Sequence, residues 1–361
     1  MSFRAVVIGL GRIGFSMEGE YGRARPCTHA GVLDYSDETE LIGGFDPCEE
    51  AVTLFEEKFP GTCNSSSSLV EFLDLAKPQI VSIACSSDAH LETLQILQEW
   101  DQKNRTIQGI LLEKPVGMNY SEGCEIARIE EDWNIPVVVC HDRRYYGRFQ
   151  KIKKLVTRRG LGKLCHLRGV VNAASYVPGR RSKNHSHFGG PLLHDGTHLL
   201  DLMIYYAGLP RHCSALSFTH PGSKTEDTTM AHLLFDSEVT GSLYVGGRRK
   251  YFHFEIELEW ERAKLWVSHD RVLFRKKSKN TPYLDQEIKF QEGSENPYVM
   301  RLQNLIEVIR SKAQNQSGVR EGVQVLQVIE TLYESSRRKG QLLAVGESSG
   351  DYPGFLVQNR A

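Results

Sequence analysis

The sequence lacks any strong excess of charge of one sign. Its 44 Lys and Arg residues nearly balance its 45 Asp and Glu residues, and the formal net charge is −1. Without a global basic field, nucleic acid and anionic membrane surfaces are not expected partners. No apolar run approaches the length of a membrane span, and the apolar stretch after Met1 is too short for the core of a signal peptide.

Paired cysteine motifs are also missing. The eight cysteines are scattered singly and form no Cys-x-x-Cys. This spacing favours reduced thiols over a disulfide framework or a zinc ribbon, so we expect a cytoplasmic protein. At 361 residues, with 40% hydrophobic residues, the chain is long enough for two domains with separate cores.

Strand and helix signals alternate in residues 1–141. Helical patterns separate short apolar runs, and one of them opens with the capping box Ser68-x-x-Glu71. This alternation predicts a parallel sheet with right-handed crossovers, which is an α/β N-terminal Rossmann domain. The predicted strands are Phe3–Ile8, Glu40–Phe45, Gln79–Cys85, Ile107–Leu112 and Pro136–Cys140.

Strands dominate residues 142–361, after a helix at about 145–159. Two helices near 297–312 and 319–338 and a short strand at Leu342–Val345 close the sequence. The pattern predicts an α+β C-terminal domain with a large, mainly antiparallel open sheet. Its predicted strands are Lys163–Asn172, Cys213–Phe218, Met230–Phe235, Thr240–Val245, Phe252–Trp260, Lys264–Val267 and Val272–Arg275.

A glycine-rich motif follows the first predicted strand and leads into a predicted helix. Its glycines allow a tight turn and close approach of the backbone to a pyrophosphate, and Asp46 can bind the adenine ribose hydroxyls from the end of the second strand. Because that carboxylate repels a 2′-phosphate, NAD is favoured, while Arg12 leaves NADP open. The expected cofactor residues here are Gly9, Gly11, Arg12, Ile13, Gly14 and Asp46.

Residues Phe15–Thr28 interrupt the helical pattern with two glycines and Pro26, and the pattern resumes near His29. The segment carries Arg23 and Arg25 close to the expected phosphate site. It is either a flap that touches cofactor or substrate, or a solvated surface loop.

Several further motifs resemble the glucose–fructose oxidoreductase, inositol dehydrogenase and rhizopine-catabolism family, called Gfo/Idh/MocA. The most specific are a Glu-Lys-Pro at the end of a predicted strand and a glycine–histidine helix. The resemblance spans nearly the whole chain, and the motifs are Val81–His90, Glu113-Lys114-Pro115, His141–Tyr145, Gly189–Asp201 and Glu226-Asp227-Thr228.

The resemblance implies reversible hydride transfer between a nicotinamide and a hydroxyl-bearing carbon of a sugar, an inositol or a nucleotide sugar. It assigns cofactor binding to residues 1–141, and substrate binding and oligomerisation to residues 142–361. A homodimer or homotetramer through the open sheet is implied. It adds as cofactor contacts Cys85, Ser86, Ser87, His90, Glu113, Lys114 and Arg144.

Oxidation of an alcohol needs a group that takes the hydroxyl proton while hydride leaves the same carbon. Lys114 follows a parallel strand at the sheet edge where ligands bind, so it is the first catalytic candidate and a substrate contact. His198 is the candidate base, or the partner of Lys114. His194, His198 and Asp201 share one helical face at α-helical spacing.

The helix departs from the family at one position. His194 stands where the family has aspartate, and Asp195 falls one residue later. Either His194 takes that role, or Asp195 does through a local change at the start of the helix; both are catalytic and substrate-binding candidates. A metal is not expected, although His194 and His198 have the spacing of a ligand pair with His185 and His187 upstream.

Tyr176 and Arg180 precede this helix on a predicted loop and are candidates for binding hydroxyls or phosphate, or else belong to a solvated loop. Three functions fit the whole pattern: an NAD-dependent oxidoreductase acting on a sugar-like alcohol, a non-catalytic dinucleotide sensor, or an NAD-dependent glycosidase. The presence of both Lys114 and His198 favours an enzyme over a sensor, which has no need of that pair.

Overall fold

The computed structural model describes residues 2–20, 24–156, 160–173, 189–221, 223–236, 238–268, 271–290 and 295–346. These residues group into two compact units. The first lies within Met1–Gly117, Ser121–Tyr146 and Ser294–Val323, and the second within Met118–Tyr120, Gly147–Gly293 and Gln324–Ala361. The grouping differs from a single cut at residue 142, because a late segment of the chain returns to the first unit.

The α-helices of the described residues include those predicted at the capping box and near 145–159, 297–312 and 319–338. At the start of the third helix, the Ser68 hydroxyl accepts from Glu71 N, as the capping box predicts. None of the helices in this part of the chain combines the length and apolarity that a membrane crossing needs. They are α1 (His29–Tyr35), α2 (Glu49–Lys58), α3 (Leu69–Ala76), α4 (His90–Asn104), α5 (Tyr120–Trp133), α6 (Gly147–Val156), α7 (Thr197–Ala207), α8 (Pro297–Ile309) and α9 (Val319–Arg337).

The first unit contains a six-stranded, all-parallel sheet in the order β3-β2-β1-β4-β5-β6. This is the order of the Rossmann fold, and it confirms the predicted α/β class. The sequence pattern missed only the short edge strand β3 among these strands. They are β1 (Phe3–Ile8), β2 (Thr39–Phe45), β3 (Cys63–Ser65), β4 (Ile80–Ile83), β5 (Gly109–Leu112) and β6 (Val137–Val139).

Helix α8 belongs to this unit although it lies far along the chain. Its residues Leu302, Leu305 and Ile306 are buried in one hydrophobic cluster with Val7 of β1 and Leu111 of β5, among others. The hydrophobic effect therefore holds a C-terminal segment against the N-terminal sheet.

The second unit contains a nine-stranded sheet in the order β14-β13-β12-β11-β7-β10-β9-β8-β15. Only β7 and β10 pair in parallel, so the predicted mainly antiparallel sheet is confirmed. Its strands are β7 (Leu164–Asn172), β8 (Pro210–Phe218), β9 (Thr228–Phe235), β10 (Thr240–Gly246), β11 (His253–Trp260), β12 (Ala263–Ser268), β13 (Val272–Lys276), β14 (Gln286–Ile288) and β15 (Leu343–Ala344).

One face of this sheet is open to solvent in the isolated chain. Along β9, Ala231 and Leu233 are buried whereas Met230 and Leu234 are exposed, which is the alternation of a strand with one covered face. Exposed Leu216 on β8 pairs with Met230 across the two strands and extends the apolar surface.

Candidate functional site

The glycine motif forms a turn in which backbone segments nearly touch. Gly9 has a φ of +95°, and a Cβ placed on it would lie 2.3 Å from Cys85 N. A Cβ on Gly14 would lie 2.1 Å from the carbonyl oxygen of Gly9. By contrast, apart from the residues adjacent to Gly11 in the chain, no atom of the described residues lies within 4 Å of its Cβ position. The turn therefore leaves a bare stretch of backbone that a phosphate group can approach, which fits a dinucleotide.

Asp46 lies beside this turn, directly after β2. Its Oδ2 accepts from Leu10 N at 2.7 Å and its Oδ1 from Cys48 N at 2.9 Å, so both oxygens are oriented. This fixed carboxylate at the carboxyl end of β2 is placed as a ribose-binding aspartate requires.

The predicted interruption of the helical pattern after Gly14 is confirmed, and the helix resumes at His29. The chain makes turns and a short 3₁₀ helix, Ser16–Gly19, before α1 begins at His29. His29 N donates to the carbonyl of Ile13, and Ala30 N to that of Gly14, across sixteen residues instead of the four of an α-helix. The hydrogen bonds of the crossover helix thus resume twelve residues later than in a continuous helix. We call this extra length, within Phe15–Thr28, the twelve-residue insertion.

The carboxylate of Glu18 closes this insertion onto α1. It accepts from Cys27 N at 3.1 Å, from Thr28 N at 3.0 Å and from the Thr28 hydroxyl at 2.7 Å. The Thr28 hydroxyl in turn accepts from Gly31 N at 3.1 Å. These bonds satisfy backbone donors that a helix N-terminus otherwise leaves open. Of the two arginines predicted here, Arg25 is exposed and Arg23 lies outside the described residues.

The second loop that is expected to contact the cofactor follows β4. Ser87 opens a 3₁₀ turn, and His90 begins α4 with its side chain fully buried. Nδ1 of His90 lies 3.2 Å from the carbonyl of Val116, whereas its Nε2 has no hydrogen-bond partner among the described residues. Burial raises the pKa of the Cys85 thiol to about 11, so Cys85 is a neutral group in this loop.

Glu113, Lys114 and Pro115 follow β5 at the carboxyl edge of the same sheet. Lys114 is half-buried, and its backbone N–H donates to Oε2 of Glu113 at 3.2 Å. The other carboxylate oxygen of Glu113 lies 3.0 Å from Nε2 of His29. His29 is fully buried, and its Nδ1 contacts the Ser82 hydroxyl. The first residue of α1 thereby helps to fix the backbone at Lys114.

A buried guanidinium completes this cluster. Arg301 of α8 is fully buried; its Nη1 donates to Oδ1 of Asp142 at 2.6 Å and lies 3.8 Å from Oε1 of Glu113. Burial alone would raise the pKa of Glu113, but the hydrogen bond from His29 and the charges of Arg301 and Lys114 lower it to about 2. Burial and the same guanidinium lower the pKa of His29. Glu113 is therefore a carboxylate that accepts from a neutral His29.

The cluster also includes the thiol of Cys140, so that His29, Glu113 and Cys140 offer three ligand types within 4.8 Å. Two features act against a metal ion in this place. The guanidinium of Arg301 already balances the carboxylate, and burial raises the pKa of Cys140 well above its usual value. The sequence patterns did not predict His29, Ser82 and Arg301 as members of this cluster. The only signal for any of them was the helical pattern that resumes near His29.

Arg144, expected to contact cofactor, lies in a short 3₁₀ turn after β6. It is buried, and its Nη1 donates to the carbonyl of Gln316 at 2.8 Å. This contact ties the turn to the segment between α8 and α9.

In the second unit, the glycine–histidine motif does not begin as a regular α-helix. Leu192–Gly196 form a single π-helical turn, and α7 follows directly. His194, Asp195 and His198 are half-buried there, while Asp201 is fully buried. The prediction that His194 and His198 share a face assumed α-helical spacing, whereas the π turn includes His194 and ends at Gly196, before His198. Isolated π turns are rare and frequently occur at functional sites.

Glu226 secures the start of this turn. Its Oε1 accepts from Leu192 N at 3.0 Å and from the Tyr333 hydroxyl at 2.9 Å. A Cβ on Gly190 would lie 1.9 Å from the Glu226 carboxylate, so a side chain there would displace that carboxylate. Burial is the main cause that raises the pKa of Glu226, to about 7. The remaining candidates, Tyr176 and Arg180, lie outside the described residues, as do His185 and His187.

Comparison with known proteins defines the class of this fold and site. Residues 3–141 match the family model described as an oxidoreductase family with an NAD-binding Rossmann fold, and residues 149–265 match a GFO/IDH/MocA C-terminal domain. The protein is therefore an oxidoreductase that binds a nicotinamide dinucleotide in its first unit. The chain belongs to the Gfo/Idh/MocA family.

Individual relatives are distant. The scyllo-inositol 2-dehydrogenase (NADP(+)) IolW of Bacillus subtilis is 22% identical over 347 residues, 90% of this chain and 94% of IolW. YteT of the same organism, which carries the name of an oxidoreductase, is 22% identical over 183 residues, but the match spans 48% of this chain and only 41% of YteT. The WlbA dehydrogenase of Bordetella pertussis, solved with NADH and UDP-GlcNAcA, has a TM-score of 0.74 and 18% identity, covering 95% of this chain and 99% of WlbA.

Proposed function

We propose that the protein transfers hydride between a bound nicotinamide dinucleotide, preferably NAD, and a secondary alcohol carbon of a sugar, a polyol or a nucleotide sugar. The observation that carries the proposal is the fixed Glu113-Lys114-Pro115 segment at the carboxyl edge of the Rossmann sheet. The chain's membership of the family supports a sugar-like class of substrate, as do the inositol in the name of IolW and the UDP-GlcNAcA in the WlbA structure.

Separate residues of the chain bind the cofactor and orient the substrate. The bare backbone of the turn from Gly9 to Gly14 binds the pyrophosphate, and Asp46 binds the adenine ribose. Bound nicotinamide supplies the hydride acceptor or donor. The buried carboxylate of Glu113 holds the peptide of Lys114 in place, so that the ammonium of Lys114 can orient the substrate hydroxyl.

We propose that His198 and Lys114 act in the proton path. His198 takes the hydroxyl proton as general base, and either His194 or Asp195 assists it. Both His194 and Asp195 lie in the π turn, which changes the start of the helix locally. The turn therefore supports Asp195 in this role as well as His194. Tyr176 and Arg180 remain proposed substrate contacts.

The test follows NADH absorbance with purified wild type, Lys114→Ala and the control Lys58→Ala, an exposed lysine on α2. A panel of inositols, free sugars and nucleotide sugars is offered with NAD⁺ and NADP⁺. We expect Lys114→Ala to lower kcat by about 10² to 10⁴-fold, the usual contribution of a positioned proton-transfer group, with NAD binding retained. Unchanged turnover would remove Lys114 from the mechanism.

If no compound of the panel changes the NADH absorbance while NAD binding is intact, one of the two other functions is favoured instead. A glycosidase that oxidises and re-reduces its sugar would cleave a nitrophenyl glycoside without net NADH. A dinucleotide sensor would do neither.

The open face of the nine-stranded sheet supports a homodimer or homotetramer. Phe218 and Met230 expose 52% and 44% of their surface there, beside Leu216, and an apolar patch of this kind marks an association surface. Light scattering of the purified protein measures the oligomeric state directly, and a monomer at micromolar concentration would contradict the proposed homo-oligomer.

A cytoplasmic location stays a proposal, supported by eight cysteines that are all free thiols.

A further inference from the structure

Arg12, in the glycine turn, is the residue whose positive charge left NADP open as a cofactor. In the structure, this charge is paired with a carboxylate. Its Nη2 and Nε lie 2.5 Å and 3.1 Å from the same carboxylate oxygen of Glu20. Glu20 belongs to the twelve-residue insertion. The cation of the turn is thus paired with an anion that a continuous crossover helix would not supply.

The position of Glu20 is set by its neighbours in the insertion. Two residues earlier, Glu18 is held by three donors at the start of α1. Met17 is buried, and the ring of Phe15 packs edge-on against Phe55 at 5.4 Å between centroids. Buried anchors on its N-terminal side therefore limit where the Glu20 carboxylate can lie.

The pair lies on the same turn as the ribose-binding carboxylate. Asp46 accepts from the N–H of Leu10, two residues before Arg12. NADP differs from NAD by a 2′-phosphate on that ribose, and proteins that accept it usually provide a nearby arginine. Here the 2′-phosphate would meet the negative charge of Asp46 and an arginine already paired with Glu20, and Pro47 and Cys48 bring no further cation.

We propose that Glu20 is a specificity-determining residue that selects NAD over NADP by withholding Arg12 from the 2′-phosphate. The assignment rests on the proposed NAD preference of the first unit. It also gives the insertion a role: it delivers a carboxylate to the adenosine end of the dinucleotide site.

A double-mutant cycle tests this role in the full-length protein. Fluorescence titration gives Kd for NADPH and NADH with wild type, Glu20→Gln, Arg12→Gln and the double variant, and with Glu99→Gln as control, an exposed carboxylate on α4. Glu20→Gln removes the charge with almost no change of shape. We expect it to raise the affinity for NADPH relative to NADH about tenfold, as a freed guanidinium gains a charge-assisted bond to phosphate.

The gain should vanish when Arg12→Gln is already present, and Glu99→Gln should leave the ratio unchanged. An unchanged ratio in Glu20→Gln, or a gain that persists without Arg12, would overturn the proposal. A wild type that binds NADPH as tightly as NADH would also overturn it. Failure to bind either dinucleotide would instead contradict the function proposed above, so the two failures are distinguishable.

Discussion

Glu226 gives the strongest prediction about pH, because it is a buried carboxyl group whose two hydrogen-bond donors are neutral. It accepts from Leu192 N and from the Tyr333 hydroxyl, both neutral donors, and the charge of Asp227 that acts on it is of the same sign. Burial therefore outweighs the two hydrogen bonds, and the pKa rises from 4.5 to about 7.

The direction of the stability change follows from proton binding. Since the pKa of Glu226 is higher in the folded than in the unfolded protein, the folded state binds more protons between pH 4.5 and 7. The free energy of unfolding therefore falls as pH rises through this window and is level above it. The interval between the two pKa values corresponds to a loss of about 3 kcal/mol above pH 7.

The assay compares urea unfolding of wild type and Glu226→Gln at several pH values from 5 to 8. The difference between the two proteins is the informative quantity, because burial raises the pKa of Glu130 to about 7 as well and contributes to both curves. Glutamine keeps the shape and one acceptor oxygen but does not ionise. We expect the variant to gain about 2.5 kcal/mol on wild type between pH 5 and pH 8, since part of the loss in wild type already occurs below pH 5. A difference that is constant over this range would refute the reasoning.

Two further predictions concern charge and the proton path. Arg301→Met should lower the free energy of unfolding by about 3 to 5 kcal/mol at pH 7, because it leaves Glu113 and Asp142 buried without their cation; a loss under about 1 kcal/mol in urea titrations would contradict this. If His194 acts in the proton path, His194→Asp should keep part of the turnover that His194→Ala loses, as NADH absorbance would show. Turnover that responds only to changes at Asp195 would transfer the role to that residue.

Periodic patterns predicted most of this fold because they report burial. Strand β1 was predicted at its observed bounds, and β4 within two residues at either end, since fully buried strands are continuous apolar runs. The edge strands β3 and β14 were not predicted. Each has three residues, too few for a period, and β3 consists of Cys63, Asn64 and Ser65.

The candidate site was predictable where a motif carries its own chemistry, and not where the chemistry depends on distant contacts. The glycine turn, Asp46 and Lys114 each follow a strand and could be placed by that fact alone. The π turn could not, because α-helical and π-helical spacings differ by one residue per turn and the residues Leu192–Gly196 suit either.

Arg301 shows why the single boundary near residue 142 misses part of the first unit. In sequence it reads as an ordinary charge on an amphipathic helix, and its ion-pair partner Asp142 lies 159 residues earlier. In the fold it is the buried cation between Asp142 and Glu113, and α8 brings it there. A chain ending at residue 141 would retain the carboxylate of Glu113 in the sheet core and lose the guanidinium that keeps its pKa low. The Rossmann unit is therefore completed, in its charge as well as its packing, by a helix from the C-terminal part of the chain.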